Sequence, residues 1–101
     1  MYKTHTSIKT KSAHKYVAQL CKHFAHKVET SFTLDNEAKT AEGLTVFPMG
    51  KVVFTAKNDI LTVEAEVENL EACKALHNVF DSHIEKFAFR ETLNYKWEID
   101  G

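Results

Sequence analysis

Six histidines stand among 101 residues, at positions 5, 14, 23, 26, 77 and 83. His23 and His26 are three residues apart, so on a helix both rings reach one ion. At ~100° per residue, Cys21 points ~160° away from His23. One helix therefore cannot present both to the same metal, although Cys-x-His reads as a ligand pair. Two imidazoles need a third ligand from elsewhere, and without one they are solvated or packing residues. Cys73 and His77 are only ~40° apart around a helix, and Cys21 also faces the core, so these three form a second arrangement. It has no Cys-x-x-Cys pairing and no fourth ligand, so two small core thiols beside a half-buried histidine are expected instead.

Arg90 is the single arginine, against twelve lysines. A flat guanidinium grips a carboxylate or phosphate in two places where an ammonium cannot. Two assignments follow: a buried or half-buried pair with an internal acid, or an anion clamp at the end of the sheet. Lys11, Lys15 and Lys22 share an outer helical stripe with His26. That stripe holds no aromatic side chain for base stacking, so a nucleic-acid partner is not expected. There is no G-x-S-x-G and no Gly-rich phosphate loop, and both thiols lie on apolar faces where they stay protonated. No catalytic residue is assigned, no cofactor is indicated, and whether the chain is an enzyme is left open.

The elements that must position these groups follow from periodicity. Tyr2 to Lys9 alternates as a first strand. Ser12 is a candidate cap, and Ala13, Tyr16, Val17, Leu20, Cys21 and Phe24 give a helix over about 13–26. Val28 to Leu34 alternates as a strand, followed by turn chemistry at Asp35-Asn36-Glu37. A short strand from Leu44 to Phe47, a turn at Pro48-Met49-Gly50 and a strand from Lys51 to Lys57 come next. Asn58-Asp59 suits a tight hairpin into a strand with Leu61, Val63, Ala65 and Val67 on one face. Asn69 caps a second helix whose stripe is Cys73, Leu76, Phe80, Ile84 and Phe87. Leu93, Tyr95, Trp97 and Ile99 alternate as a last strand. The order β-α-β-β-β-β-α-β predicts one α+β domain over residues 1–101. An antiparallel sheet with both helices packed on one face buries these stripes.

The bulk numbers agree with one ordinary globular core: 44% hydrophobic and 27% charged residues, with one Pro and three Gly. No apolar run approaches the roughly 18–20 residues of a membrane span. Residues 1–5 lack a signal-peptide core, so a cytoplasmic location with reduced thiols is expected. The net charge of -1 conceals a split. Residues 1–27 carry six lysines and no acid, and all 14 acids follow Val28. Such a split marks a surface for anions, or two parts that neutralise each other in the fold.

Two stretches and a turn carry a resemblance: Tyr16 to Lys27, His83 to Glu91, and the strand-Pro-x-Gly segment Gly43 to Gly50. Together they resemble the bacterial domain-of-unknown-function family 2218, nearly end to end, over about residues 4–97. The pattern is carried by Cys21, Lys22, His23, His26, Lys27, His83, Phe87, Phe89 and Arg90. The resemblance brings no established activity. It implies an association with siderophore-interacting flavoproteins, and so with iron handling. A longer polar segment, Asp35 to Glu42, departs from the pattern.

If the two helices run side by side in one direction, their ends bring His23, His26, Lys27, His83 and Arg90 together, with Phe24, Phe87 and Phe89 as aromatic walls. That cationic hollow suits a carboxylate, catecholate or phosphate ligand, or an iron complex carrying them. The expected function is a non-enzymatic binding or accessory module for an anionic ligand in iron or siderophore metabolism. The alternatives are a metal- or redox-dependent enzyme using the histidines, and a protein-interaction module that forms homo-oligomers.

Overall fold

The computed structural model describes residues 1–100. Its elements are β1 (Tyr2–Lys9), α1 (Ala13–Phe24), β2 (Glu29–Asp35), β3 (Thr40–Phe47), β4 (Gly50–Lys57), β5 (Ile60–Val67), α2 (Leu70–Phe87) and β6 (Glu98–Asp100). The strands form one antiparallel sheet in the order β2-β3-β4-β5-β1-β6. This is the α+β architecture expected from periodicity. Helix α1 packs over β2 to β5 and α2 over β5 and β1. Both helices cover the face carrying Thr4, Thr6, Ile8, Val52, Phe54, Leu61, Val63 and Val67. The opposite face is open.

Local chemistry sets the turns. Asn58 and Asp59 both take positive φ, 53° and 59°, the geometry that lets a two-residue loop follow the twist of its strands. Asp35 Oδ1 accepts from the backbone N–H of Glu37 and Ala38, each at 3.0 Å, closing the β2–β3 turn. Gly50 has φ +154°, and a Cβ there would lie 2.1 Å from the Glu66 carbonyl oxygen, so only glycine fits.

Two helix starts differ. Asn69 caps α2 as expected, its Oδ1 accepting from Ala72 N at 2.8 Å. Ser12 makes no side-chain cap on α1. Thr10 does that work from two positions earlier: its Oγ1 accepts from Ser12 N and its carbonyl from Ala13 N.

Two strands also differ from expectation. β3 begins at Thr40 rather than Leu44, so the end of the polar segment after Asp35, residues 40–42, is strand. Its polar look arises because Thr40, Glu42 and Gly43 are neither bulky nor apolar, although Ala41 and Gly43 face the core. The last strand is short. Residues 92–97 belong to no strand, and the ladder with β1 begins only at Glu98. Leu93, Tyr95 and Trp97 alternate because they pack on the core from outside the sheet. Thr6 Oγ1 donates to Lys96 O, before the ladder begins, and Thr4 Oγ1 to Glu98 O at its first residue, so hydroxyls of β1 fasten the segment to the sheet.

The charge split is partly resolved by register. On the open face Lys3 lies opposite Glu66 of β5 and Asp100 of β6, and His5 opposite Glu64 and Glu98. The lysines of α1 stay exposed.

Candidate functional site

Helix α1 has one broad buried face and one polar face. Leu20, Cys21 and Phe24 are buried, while Lys22 and His23 point outward in the last turn. Helix α2 buries Phe80 and Ile84 and leaves His83 half-buried at the margin of that stripe. The two margins meet. His23 Nε2 lies 2.8 Å from His83 Nε2, across 60 positions of chain.

The proton positions follow from the remaining partner. His83 Nδ1 is 2.6 Å from the Val79 carbonyl oxygen, one turn earlier on α2. A carbonyl only accepts, so Nδ1 carries the proton and Nε2 of the neutral ring carries the lone pair. His23 therefore donates its Nε2–H to His83. Phe24 packs edge-on against both imidazoles, with centroids 5.8 Å and 5.3 Å away. Phe87 lies 6.4 Å from each.

The field at this corner is positive. Loss of hydration first, and then the charges of His83, Lys27, His26 and Lys86, hold the His23 imidazole below its usual range. His23, His26, Lys27 and Lys86 are exposed. The corner is thus an open, cationic, aromatic-backed rim.

Arg90 and Phe89 are not placed in this cluster. The helices do not run in one direction where they touch. His23 faces His83, whereas Tyr16, seven residues earlier on α1, donates its hydroxyl to Glu91, eight residues later than His83. The chain after His83 therefore runs back toward the start of α1 and carries Arg90 away from His23. Arg90 is exposed and lies over the Phe89 ring at 5.2 Å. It forms no ion pair with an acid among the described residues, so its assignment to an internal salt bridge is corrected. Phe89 is itself 75% exposed. Sequence reading also passed over Lys86, three residues from His83 on the same helical face, a spacing that marks it as a neighbour.

The other candidates separate. Cys21 and Cys73 are buried free thiols, and burial pushes Cys21 up to about 11. His77 is committed elsewhere: it stacks on Trp97, centroids 4.3 Å apart, and its Nε2 is 2.8 Å from Thr4 Oγ1. Among the described residues no group of three or more His, Cys, Asp or Glu is gathered as a metal site. Among the described residues no helix is long and apolar enough to cross a membrane.

A second polar cluster fastens the segment after α2. Asp81 Oδ1 accepts from Tyr95 Oη at 2.6 Å and from Trp97 Nε1 at 3.0 Å. Burial, then the hydrogen bond to Asp81, raise the Tyr95 phenol far above its usual range. A third joins Glu91 to Thr10 and Tyr16 at the start of α1, and Tyr16 is pushed up to about 12, chiefly by burial. In both clusters the polar groups are paired with one another.

No curated protein matches the chain. Among solved structures it is similar to the NMR structure of PA4090 from Pseudomonas aeruginosa, at 26% identity and a TM-score of 0.75, covering 97% of this chain and 96% of that one. The family model described as "Uncharacterized protein conserved in bacteria (DUF2218)" matches residues 5–98, and the chain belongs to that family.

Proposed function

We propose that the protein is a small non-enzymatic binding module that holds an anionic ligand at the rim formed by His23, His26, Lys27, His83 and Lys86. The observation that carries this reading is the 2.8 Å approach of His23 and His83 from two helices, in the positive field of Lys27, His26 and Lys86. Lys27 and Lys86 put positive charge beside this neutral imidazole pair, and no acid among the described residues is paired with either, so the rim lacks a counter-charge. An anion supplies that counter-charge and accepts hydrogen bonds from both ammonium groups. Phe24 and Phe87 behind the imidazoles add apolar backing suited to an aromatic acid. Carboxylates, catecholates and phosphates all fit. Catecholates are the arm that tests the link to iron and siderophore metabolism, and to a siderophore-interacting flavoprotein as partner. Arg90 and Phe89, on the turn beyond α2, would serve only a ligand long enough to follow the chain away from His83.

Calorimetric titration with inorganic phosphate and with 2,3-dihydroxybenzoate tests this. Saturable binding that weakens in Lys27→Glu and Lys86→Glu is expected. Binding indifferent to both substitutions would place the ligand elsewhere.

A second reading, a homo-oligomerising interaction module, has its own observation. Leu44 and Val53 are register partners on the open sheet face and Val46 adjoins them, each about two-fifths exposed. Sedimentation of the wild type and Val53→Lys decides it: a dimer lost in the variant supports this reading, and a wild-type monomer removes it.

A further inference from the structure

We propose that His23 and His83 form a two-nitrogen site for a divalent late transition metal, Ni²⁺ or Cu²⁺, that arrives inside an anionic oxygen-donor chelate. The proposal rests on the reading of this rim as an anion site and names what carries the anion there.

The spacing is the first reason. The two Nε2 atoms are 2.8 Å apart. Adjacent positions of a square-planar or octahedral sphere, with metal–nitrogen bonds of ~2.0–2.1 Å, are about 2.8–3.0 Å apart, whereas tetrahedral positions are about 3.3 Å or more apart. Square-planar and tetragonal nitrogen–oxygen spheres belong to Cu²⁺ and Ni²⁺. The rings meet at an angle, with centroids 4.4 Å apart and planes inclined by 55°. An ion beside the line joining the nitrogens can face both after small ring rotations.

The second reason is the state of the lone pairs. The Val79 carbonyl fixes the proton of His83 on Nδ1. Such a carbonyl is a usual outer partner of a metal-bound histidine, because it orients the ring and frees Nε2. His23 then needs only a tautomer change. Its proton moves from Nε2 to Nδ1 through water, and a neutral ring loses none.

Charge supplies the third reason and selects the chelate. The positive charges of Lys27, His26 and Lys86 act on His23 and repel a bare dication. A metal whose other positions are filled by carboxylates carries net negative charge and reverses that sign. Two histidines leave room for such a chelate, and the exposure of His23 and the surrounding cations gives it access. Three other histidines offer no equivalent: His5 pairs with Glu98, His77 with Thr4, and His14 is buried.

The probe is nickel nitrilotriacetate in solution, which has two adjacent positions open and one excess negative charge, titrated into the untagged full chain by calorimetry. One-to-one binding is expected, weakened about tenfold or more in His23→Gln and in His83→Gln and unchanged in His5→Gln, outside the rim. The chelate should bind more tightly than NiCl₂, and Lys86→Glu should narrow that preference. Circular dichroism establishes that each variant is folded. Equal affinity in the wild type and both glutamine variants overturns the site, and NiCl₂ binding as tightly as the chelate overturns the anionic-chelate assignment. Phosphate and dihydroxybenzoate bound without metal, beside a chelate that does not distinguish the variants, leave the anion reading standing and remove the metal. The reverse pattern retains the metal pair and removes the metal-free reading.

Discussion

His77 donates to Thr4, and the direction of that bond is fixed by a third group. The Thr4 hydroxyl is spent on the Glu98 carbonyl at 2.7 Å. Its oxygen must therefore accept at the 2.8 Å contact with His77 Nε2, which carries the proton. The bond ties α2 to β1 at the point where β6 joins the sheet.

This geometry predicts a pH dependence of stability. Burial holds His77 below its usual pKa, outweighing the opposing pull of Asp81. Below about pH 6.5 the unfolded chain takes up a proton on this ring that the folded chain resists, so stability present above that pH is lost as pH falls toward the folded value. Urea midpoints should drop between about pH 7 and 5. His77→Gln keeps an N–H donor without titrating, and its midpoint should fall less steeply. An identical slope in both proteins would assign the dependence to other groups.

Asp81 makes a sharper test of the segment that precedes β6. Asp81→Ala strands the Tyr95 hydroxyl and the Trp97 N–H, at a cost of about 2–3 kcal/mol. Trp97 is the single tryptophan, so its emission should shift to the red as the segment loosens. Asp81→Asn keeps the accepting oxygen and should lose less. Equal losses in the two variants would mean that acceptance by Oδ1 is not what fastens the segment.

Gly43 has a steric role that a double variant isolates. A Cβ at Gly43 would lie 2.5 Å from Cys21 Sγ. Gly43→Ala should destabilise by about 1–3 kcal/mol through overpacking. Adding Cys21→Ala removes the sulfur and should make the pair less damaging than the sum of the singles by about 1 kcal/mol. Additivity within about 0.5 kcal/mol would place the strain elsewhere.

The elements were legible because most of their signals are local. Leu61, Val63, Ala65 and Val67 alternate, Asn58-Asp59 turns, and Asn69 caps, each within a few residues. The β3 start was hidden because Gly43 fills a core position that Cys21 requires to be empty, and that requirement comes from another element. Leu93, Tyr95 and Trp97 alternate like a strand, but their partners are Asp81 and the α2 surface, which no local pattern reports. At the rim, His23 and His83 were singled out as residues and their meeting depended on how the helices cross. The crossing that joins them also carries Arg90 away, and a sequence contains no direct statement of a crossing angle.

The imidazole resonances of His23 and His83, followed by NMR while 2,3-dihydroxybenzoate is added, test the central claim most directly. Saturable shifts are predicted at both rings with one common midpoint, displaced to higher ligand concentration by Lys86→Glu, while His5 and His77 stay still. Rings of His23 and His83 that do not move, or that move no more than those of His5 and His77, would contradict it.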